Sequence, residues 1–121
     1  MFGGLKERSF EDRSRASAKL LERYPDRIPV VVDRPPNSFA RPDSIPPIGK
    51  HKFLVPNDLI MGKFIHEVRK HIKIDSQQSL FLFVNGTLMP NNESVARIYS
   101  RQKDPDGFLY ITYATENTFG R

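Results

Sequence analysis

The sequence predicts an α+β domain, one small mixed sheet with a helix packed across it. Three stretches carry that expectation. "NDLIMGKFIHEVRKHI" repeats apolar residues at helical spacing, "SLFLFVNGTLMP" reads as a hairpin around Asn-Gly, and "FLYITY" is apolar on both faces of a strand. A strand covered on both sides belongs inside a sheet. The last strand is therefore expected to sit centrally and to pair with partners distant in sequence.

In chain order, "SFEDRSRASAKLLERYP" comes first and reads as a helix. Ser9 is placed to cap it, with Asp12 three residues on as a capping-box variant, and Pro25 ends it. Its apolar stripe of Phe10, Ser17, Leu20, Leu21 and Tyr24 is thin, which predicts light packing. The β-branched run "RIPVVVD" is a strand. "RPPNSFARPDSIPPIG" holds five of the ten prolines, and at that density it reads as a long exposed loop. "KHKFLVP" is a short strand with Phe53 and Val55 on one side, Lys52 and Leu54 on the other. The helix that follows is expected to be capped by Asn57 or Asp58. Met61, Phe64, Ile65, Val68 and Ile72 form its apolar stripe.

In the hairpin, Asn85 and Gly86 both accept the positive φ of a type I′ turn. "NNESVARIYSRQ" is a short helix and "KDPDG" a turn into the last strand. These elements divide the chain into an N-terminal arm (1–8), a domain (9–113) and a flexible tail (114–121). The domain includes an N-terminal helix (9–24) and a proline-rich loop (34–49).

Composition narrows the chemistry. A chain of 121 residues and 14.0 kDa fits one domain. It has no cysteine, which removes disulfides, thiolate metal sites and a cysteine nucleophile. No apolar run approaches the roughly 18 residues of a membrane span, and "MFGGLKERSF" lacks the apolar region of a signal peptide. Neither a phosphate-cradling glycine loop nor a nucleophile elbow is present. "HEVRKH" sets His66 and His71 five residues apart, about 140° around a helix, whereas two imidazoles sharing a metal need i and i+4. No enzyme activity, catalytic residue, metal or cofactor is expected.

The net charge of +5 favours acidic partners without choosing among nucleic acid, acidic peptide and anionic membrane. Phe81, Phe83, Phe108 and Tyr110 interleave with basic residues, but they lie on strands that need core aromatics. Nucleic acid is thus not the expected partner, although a basic nucleic-acid-binding domain stays open as an alternative.

The segments "DRIPVVVD", "KFLVPNDLIMGKFIHEVRKHI", "LFLFVNGTL", "DPDGFLYITY" and "ENTFGR" occur together and in order. In this the chain resembles the autophagy-related protein eight family of ubiquitin-like modifiers (GABARAP and the light-chain-three relatives). The resemblance runs from about Ser9 to Arg121, apart from a proline loop a few residues longer than usual. It implies a ubiquitin-like β-grasp with extra N-terminal helices. It also implies a function. A processing cysteine protease trims the chain after Gly120 and removes Arg121, and an activating enzyme takes the new terminus as a thioester. A conjugating enzyme then passes it to the amine of phosphatidylethanolamine. The implied location is cytoplasmic, then autophagosomal or vesicle membrane after lipidation. A glycine carbonyl, with no Cβ beside it, enters a narrow crevice readily. Ala114 to Gly120 can extend about 23 Å at roughly 3.3 Å per residue, enough to reach a buried site from outside.

The resemblance also implies capture of cargo-receptor peptides that carry an aromatic, two intervening residues and an aliphatic. Such a peptide adds a strand to the sheet edge and drops its two anchors into pockets. By position, the aromatic pocket falls to Leu20, Pro29, Val31, Lys52, Leu54 and Phe108. The aliphatic pocket falls to Phe53, Val55, Pro56, Leu59, Phe64 and Val68. Arg27, Lys52 and Arg69 would face acidic neighbours. The bland alternative for each apolar position is plain core. A ubiquitin-like adaptor that binds peptides and is never conjugated is the second reading.

Two departures from the family pattern stand out. Ala16 replaces an acidic residue one turn before Leu20, and His71 replaces a basic residue, usually Arg. Histidine is mostly neutral at pH 7, its reference pKa being about 6.5. Pairing with acidic peptides is thus expected to strengthen as pH falls toward 6.

Overall fold

A computed structural model describes residues 4–35 and 45–115. Helix α1 (Phe10–Arg23) begins as expected, with the Ser9 side chain accepting from the Asp12 amide at 3.1 Å. Strand β1 (Arg27–Asp33) and strand β2 (Lys52–Pro56) run antiparallel, from Arg27 opposite Pro56 to Val31 opposite Lys52. Helix α2 spans Met61–Arg69. Strands β3 (Leu80–Val84) and β4 (Thr87–Leu88) form the hairpin. Its turn is set by φ of 51° at Asn85 and 78° at Gly86, both positive as a type I′ turn requires. Helix α3 (Val95–Gln102) is capped by the Ser94 hydroxyl, and strand β5 (Leu109–Thr115) closes the described chain.

The sheet order is β2-β1-β5-β3-β4. As the sequence predicts, β5 is central, parallel to β1 and antiparallel to β3. Leu109, Ile111 and Tyr113 alternate inward on β5, joined by Leu80, Leu82 and Val84 of β3 and Val30 and Val32 of β1. Met61, Phe64 and Val68 of α2 cover that inner face, with Val95 and Ile98 of α3. Each such side chain contributes about 2 kcal/mol by leaving water, so this layer carries most of the stability. A smaller apolar cluster of Leu5, Val31 and Phe108 lies on the outer face, with Ala16 and Leu20 of α1 packed against it. Two apolar layers on one mixed sheet give the expected α+β architecture.

Several expectations need correction. First, α2 is capped neither by Asn57 nor by Asp58. Its cap residue is Ile60, without any side-chain bond, because tertiary carbonyls serve the first turn instead. The Met61 amide donates to the Glu93 carbonyl and the Gly62 amide to that of Asn91, both at 2.8 Å. Second, Phe10 and Tyr24 are exposed, and α1 turns Arg13, Ala16, Ser17 and Leu20 toward the domain. The buried surface of this helix is partly polar, so apolar spacing misplaced it. Third, Phe81 and Phe83 alternate away from the core and are only half-buried, because inward places on β3 go to Leu80, Leu82 and Val84. Fourth, the described part of the stretch assigned to the N-terminal arm, residues 4–8, is structured. Leu5–Glu7 form a 3₁₀ turn with Leu5 buried. At the other end, β5 runs through Thr115, two residues into the stretch assigned to the tail. The prolines of 36–44 and the tail 116–121, with Gly120 and Arg121, lie outside the described residues.

The far end of the proline segment, expected to be an exposed loop, is instead built into the domain, because its isoleucines find apolar cover in the main core. Ile45 and Ile48 are buried in the main core, Ile48 bridges to Ile72, and the Tyr113 hydroxyl donates to the Pro46 carbonyl at 2.5 Å.

Candidate functional site

Strand β2 is an edge strand, bonded to β1 on one side. Its other side presents backbone N–H and C=O groups in the arrangement an added strand reads. Because side chains alternate, the edge is flanked by two different surfaces.

On the outer face, register places Lys52 opposite Val31 and Leu54 opposite Pro29. Leu20 descends from α1 onto the same cluster as Val31, and Phe108 joins it from just before β5. The structure thus brings Leu20, Pro29, Val31, Lys52, Leu54 and Phe108 onto one side of the sheet. Leu20 and Leu54 are half-buried and Lys52 is exposed; Pro29, Val31 and Phe108 form the floor. A half-buried apolar rim beside an exposed ammonium suits an aromatic ring with an acidic neighbour.

The inner face is filled. Val55, Phe64 and Val68 are at most 2% exposed and belong to the main core. Phe53 retains 8%, stacked edge-to-face on Phe64 with ring centres 5.4 Å apart and on His71 at 5.6 Å, while Lys50 sits 4.8 Å over its ring. Pro56 and Leu59 are half-buried, Leu59 packed on that core. By alternation Pro56 shares the side of Lys52 and Leu54, so on the inner face Leu59 is the accessible member, Phe53 shows only a ring edge, and Val55, Phe64 and Val68 support them from behind.

The basic residues divide. Arg27 is exposed at the start of β1, opposite Pro56. Arg69 donates to the Asp75 carbonyl at 2.8 Å, which ties its guanidinium to the turn after α2. His71 lies beyond the end of α2, its carbonyl accepting from the Gly49 amide at 2.8 Å. His66, on α2, is exposed.

Spacing alone did not reveal the anchor that holds α1 over the outer face. Asp106 is buried and accepts from Arg13 Nε at 2.9 Å, Tyr110 Oη at 2.5 Å and the Phe108 amide at 2.9 Å. Its own carbonyl takes the Ser17 hydroxyl. Burial by itself would raise the carboxyl. The hydrogen bonds from Tyr110, Phe108 and Arg13 outweigh it and hold Asp106 below the ordinary carboxylate range. Burial, then the hydrogen bond to Asp106 and its charge, pushes the Tyr110 hydroxyl far above its usual value, so it stays a neutral donor. The sequence signal available was the "DPDG" turn, whose acidic residues offer acceptors to a basic helix.

Comparison with known proteins agrees with this architecture. The family described as "Autophagy protein Atg8 ubiquitin like" matches residues 12–120. Autophagy-related protein 8e of Arabidopsis thaliana is 44% identical over 114 residues, covering 94% of this chain and 89% of its own. Autophagy-related protein 8 of Dictyostelium discoideum is 46% identical over 111 residues, covering 91% and 87%. Among solved structures, Trypanosoma brucei ATG8 superposes with a TM-score of 0.83 at 41% identity, covering 93% of each chain. Plasmodium falciparum Atg8, solved in complex with a P. falciparum Atg3 peptide, superposes with a TM-score of 0.77 at 33% identity, covering 90% of this chain and 92% of its own. The fold is the ubiquitin-like β-grasp with an added N-terminal helix, and the chain belongs to the Atg8 family of autophagy-related ubiquitin-like proteins.

Proposed function

We propose that this chain is a lipid-conjugated modifier of autophagy that captures short peptides on the β2 edge. The single observation that carries peptide capture is that edge. Lys52 and Leu54 of β2 face the cluster of Leu20, Val31 and Phe108, while Phe53 and Val55 lie on the opposite side of the same strand. A peptide with aromatic and aliphatic anchors three residues apart would extend the sheet and meet both surfaces. The Atg3 peptide bound to the P. falciparum relative supports such capture and favours a conjugating enzyme among the partners. Cargo receptors with aromatic-x-x-aliphatic segments would use the same edge.

Conjugation rests on the other end of the molecule. Strand β5 is held centrally up to Thr115, so the residues after it start from a fixed root. The family match ends at Gly120, which supports that residue as the one joined to phosphatidylethanolamine after a protease removes Arg121. Two acyl chains would then hold the domain at a membrane, because one alone anchors only marginally. This suits a chain in which, among the described residues, no helix is long and apolar enough to cross a membrane. The domain acts as the substrate of the activating and conjugating enzymes.

Gly120→Ala tests the proposal. The added methyl should block processing or thioester formation and leave peptide affinity unchanged. Normal recruitment of the variant to membranes would refute it.

A further inference from the structure

Leu5 lies in a stretch that shows no periodicity, yet it is 2% exposed. It forms one buried cluster with Val31 and Phe108, against which Ala16, Leu20 and Tyr110 pack. Leu20, Val31 and Phe108 are also the residues assigned to the aromatic pocket. The N-terminal segment and the peptide would therefore press on the same side chains from different directions. Lys6 holds the segment in place. Its ammonium lies 4.0 Å from the Tyr110 ring centre and 3.4 Å from the Asp104 carboxylate. These two contacts of different kinds on Lys6 hold the neighbouring Leu5 in the cluster.

We infer that Leu5 is the back wall of the aromatic pocket and sets the size of ring the pocket accepts. This rests on the peptide-capture reading above and names a specificity-determining residue for it. Protein interiors are close-packed, so volume removed behind Val31 and Phe108 lets them retreat, and volume added pushes them forward. Leu5 touches no peptide in this scheme. It is a positioning residue that acts through Val31 and Phe108.

The test uses the full chain and two synthetic peptides that are identical except for Trp or Phe at the aromatic position. Calorimetry gives both affinities for each variant. Leu5→Ala should raise the Trp-to-Phe affinity ratio roughly tenfold, the usual scale for an altered apolar pocket. Leu5→Phe should move the ratio the other way, below wild type. Leu5→Met, close in volume, should leave it in place. Opposite movements by two destabilising variants separate a pocket effect from general loosening of the fold, and Leu5→Val gives the Ala direction if Leu5→Ala does not fold. A wild-type chain that binds both peptides while the ratio ignores Leu5 overturns this inference alone. Failure of the wild type to bind either peptide overturns the capture reading and this inference with it.

Discussion

Arg13 Nε lies 2.9 Å from Oδ2 of Asp106, whose side chain is fully buried. That ion pair joins the first helix to the turn that launches the central strand. Three donors converge on this carboxylate, from Arg13, Tyr110 and the Phe108 amide. Asp106→Ala strands them and should cost about 3 kcal/mol, the scale for breaking a buried pair. Tyr110→Phe removes one bond and should cost about 1 kcal/mol. Urea unfolding checks both. An Asp106→Ala domain as stable as wild type would show that α1 is held by its apolar contacts alone.

Asp106 also shapes the acid limb of stability. Its carboxyl is depressed in the folded chain, so between the folded and unfolded values the unfolded chain binds more protons. The stabilisation is therefore complete above the unfolded value, about 3.9. It drains away as pH falls below that value and through the folded one. Unfolding midpoints measured from pH 6 downward should fall at the acid end in wild type. Asp106→Asn should show a shallower fall there. Parallel curves would mean other carboxylates govern the acid limb.

Gly107 sits beside this anchor with φ of +92°, a region L side chains rarely adopt. A Cβ there would lie 3.0 Å from the Ser17 Cβ, within the contact that brings the Ser17 hydroxyl to the Asp106 carbonyl. Gly107→Ala should destabilise by about 2 kcal/mol or more, combining strain with displacement of α1. Gly86→Ala meets open space at φ of +78° and should cost only the conformational part, about 1 kcal/mol. Equal costs at the two sites would contradict the predicted clash with Ser17.

Capping separates what the sequence could state from what it could not. Ser9→Ala should cost about 1 kcal/mol, since the hydroxyl holds the Asp12 amide. Asn57→Ala and Asp58→Ala should cost far less, because Asn91 and Glu93 carbonyls serve the first turn of α2. Thermal unfolding of the three variants decides it, and a large loss at Asp58 would restore the local cap. A local rule found Ser9 because its partner is three residues away. The same rule erred at α2 because the partners lie about thirty residues on, in a loop whose approach no short window contains. The hairpin was legible through Asn85-Gly86, and the central place of β5 through its apolar faces. Leu5 and the Arg13–Asp106 pair were not. A lone leucine after glycines has no period, and a pair 93 residues apart leaves no spacing to read.

At the candidate site the edge strand was legible, and its depth was not. Alternation told that Lys52 and Leu54 share one side of β2, but not that Phe64 and Val68 would be sealed beneath Phe53. Phe64→Ala should cost about 4 kcal/mol and so report on folding. Leu54→Ala, at a half-buried rim, should keep the fold and weaken peptide capture about tenfold, the loss of one pocket contact. Calorimetry with an aromatic-x-x-aliphatic peptide, beside a denaturation curve, reads both. Full affinity in a folded Leu54→Ala chain would move the peptide off this face.

Conjugation is read out by the intact mass of the protein recovered from a membrane fraction of the cells that make it. The expected species is a chain lacking Arg121 and carrying phosphatidylethanolamine on Gly120. Membrane-associated chains that all retain Arg121 and carry no lipid would contradict it.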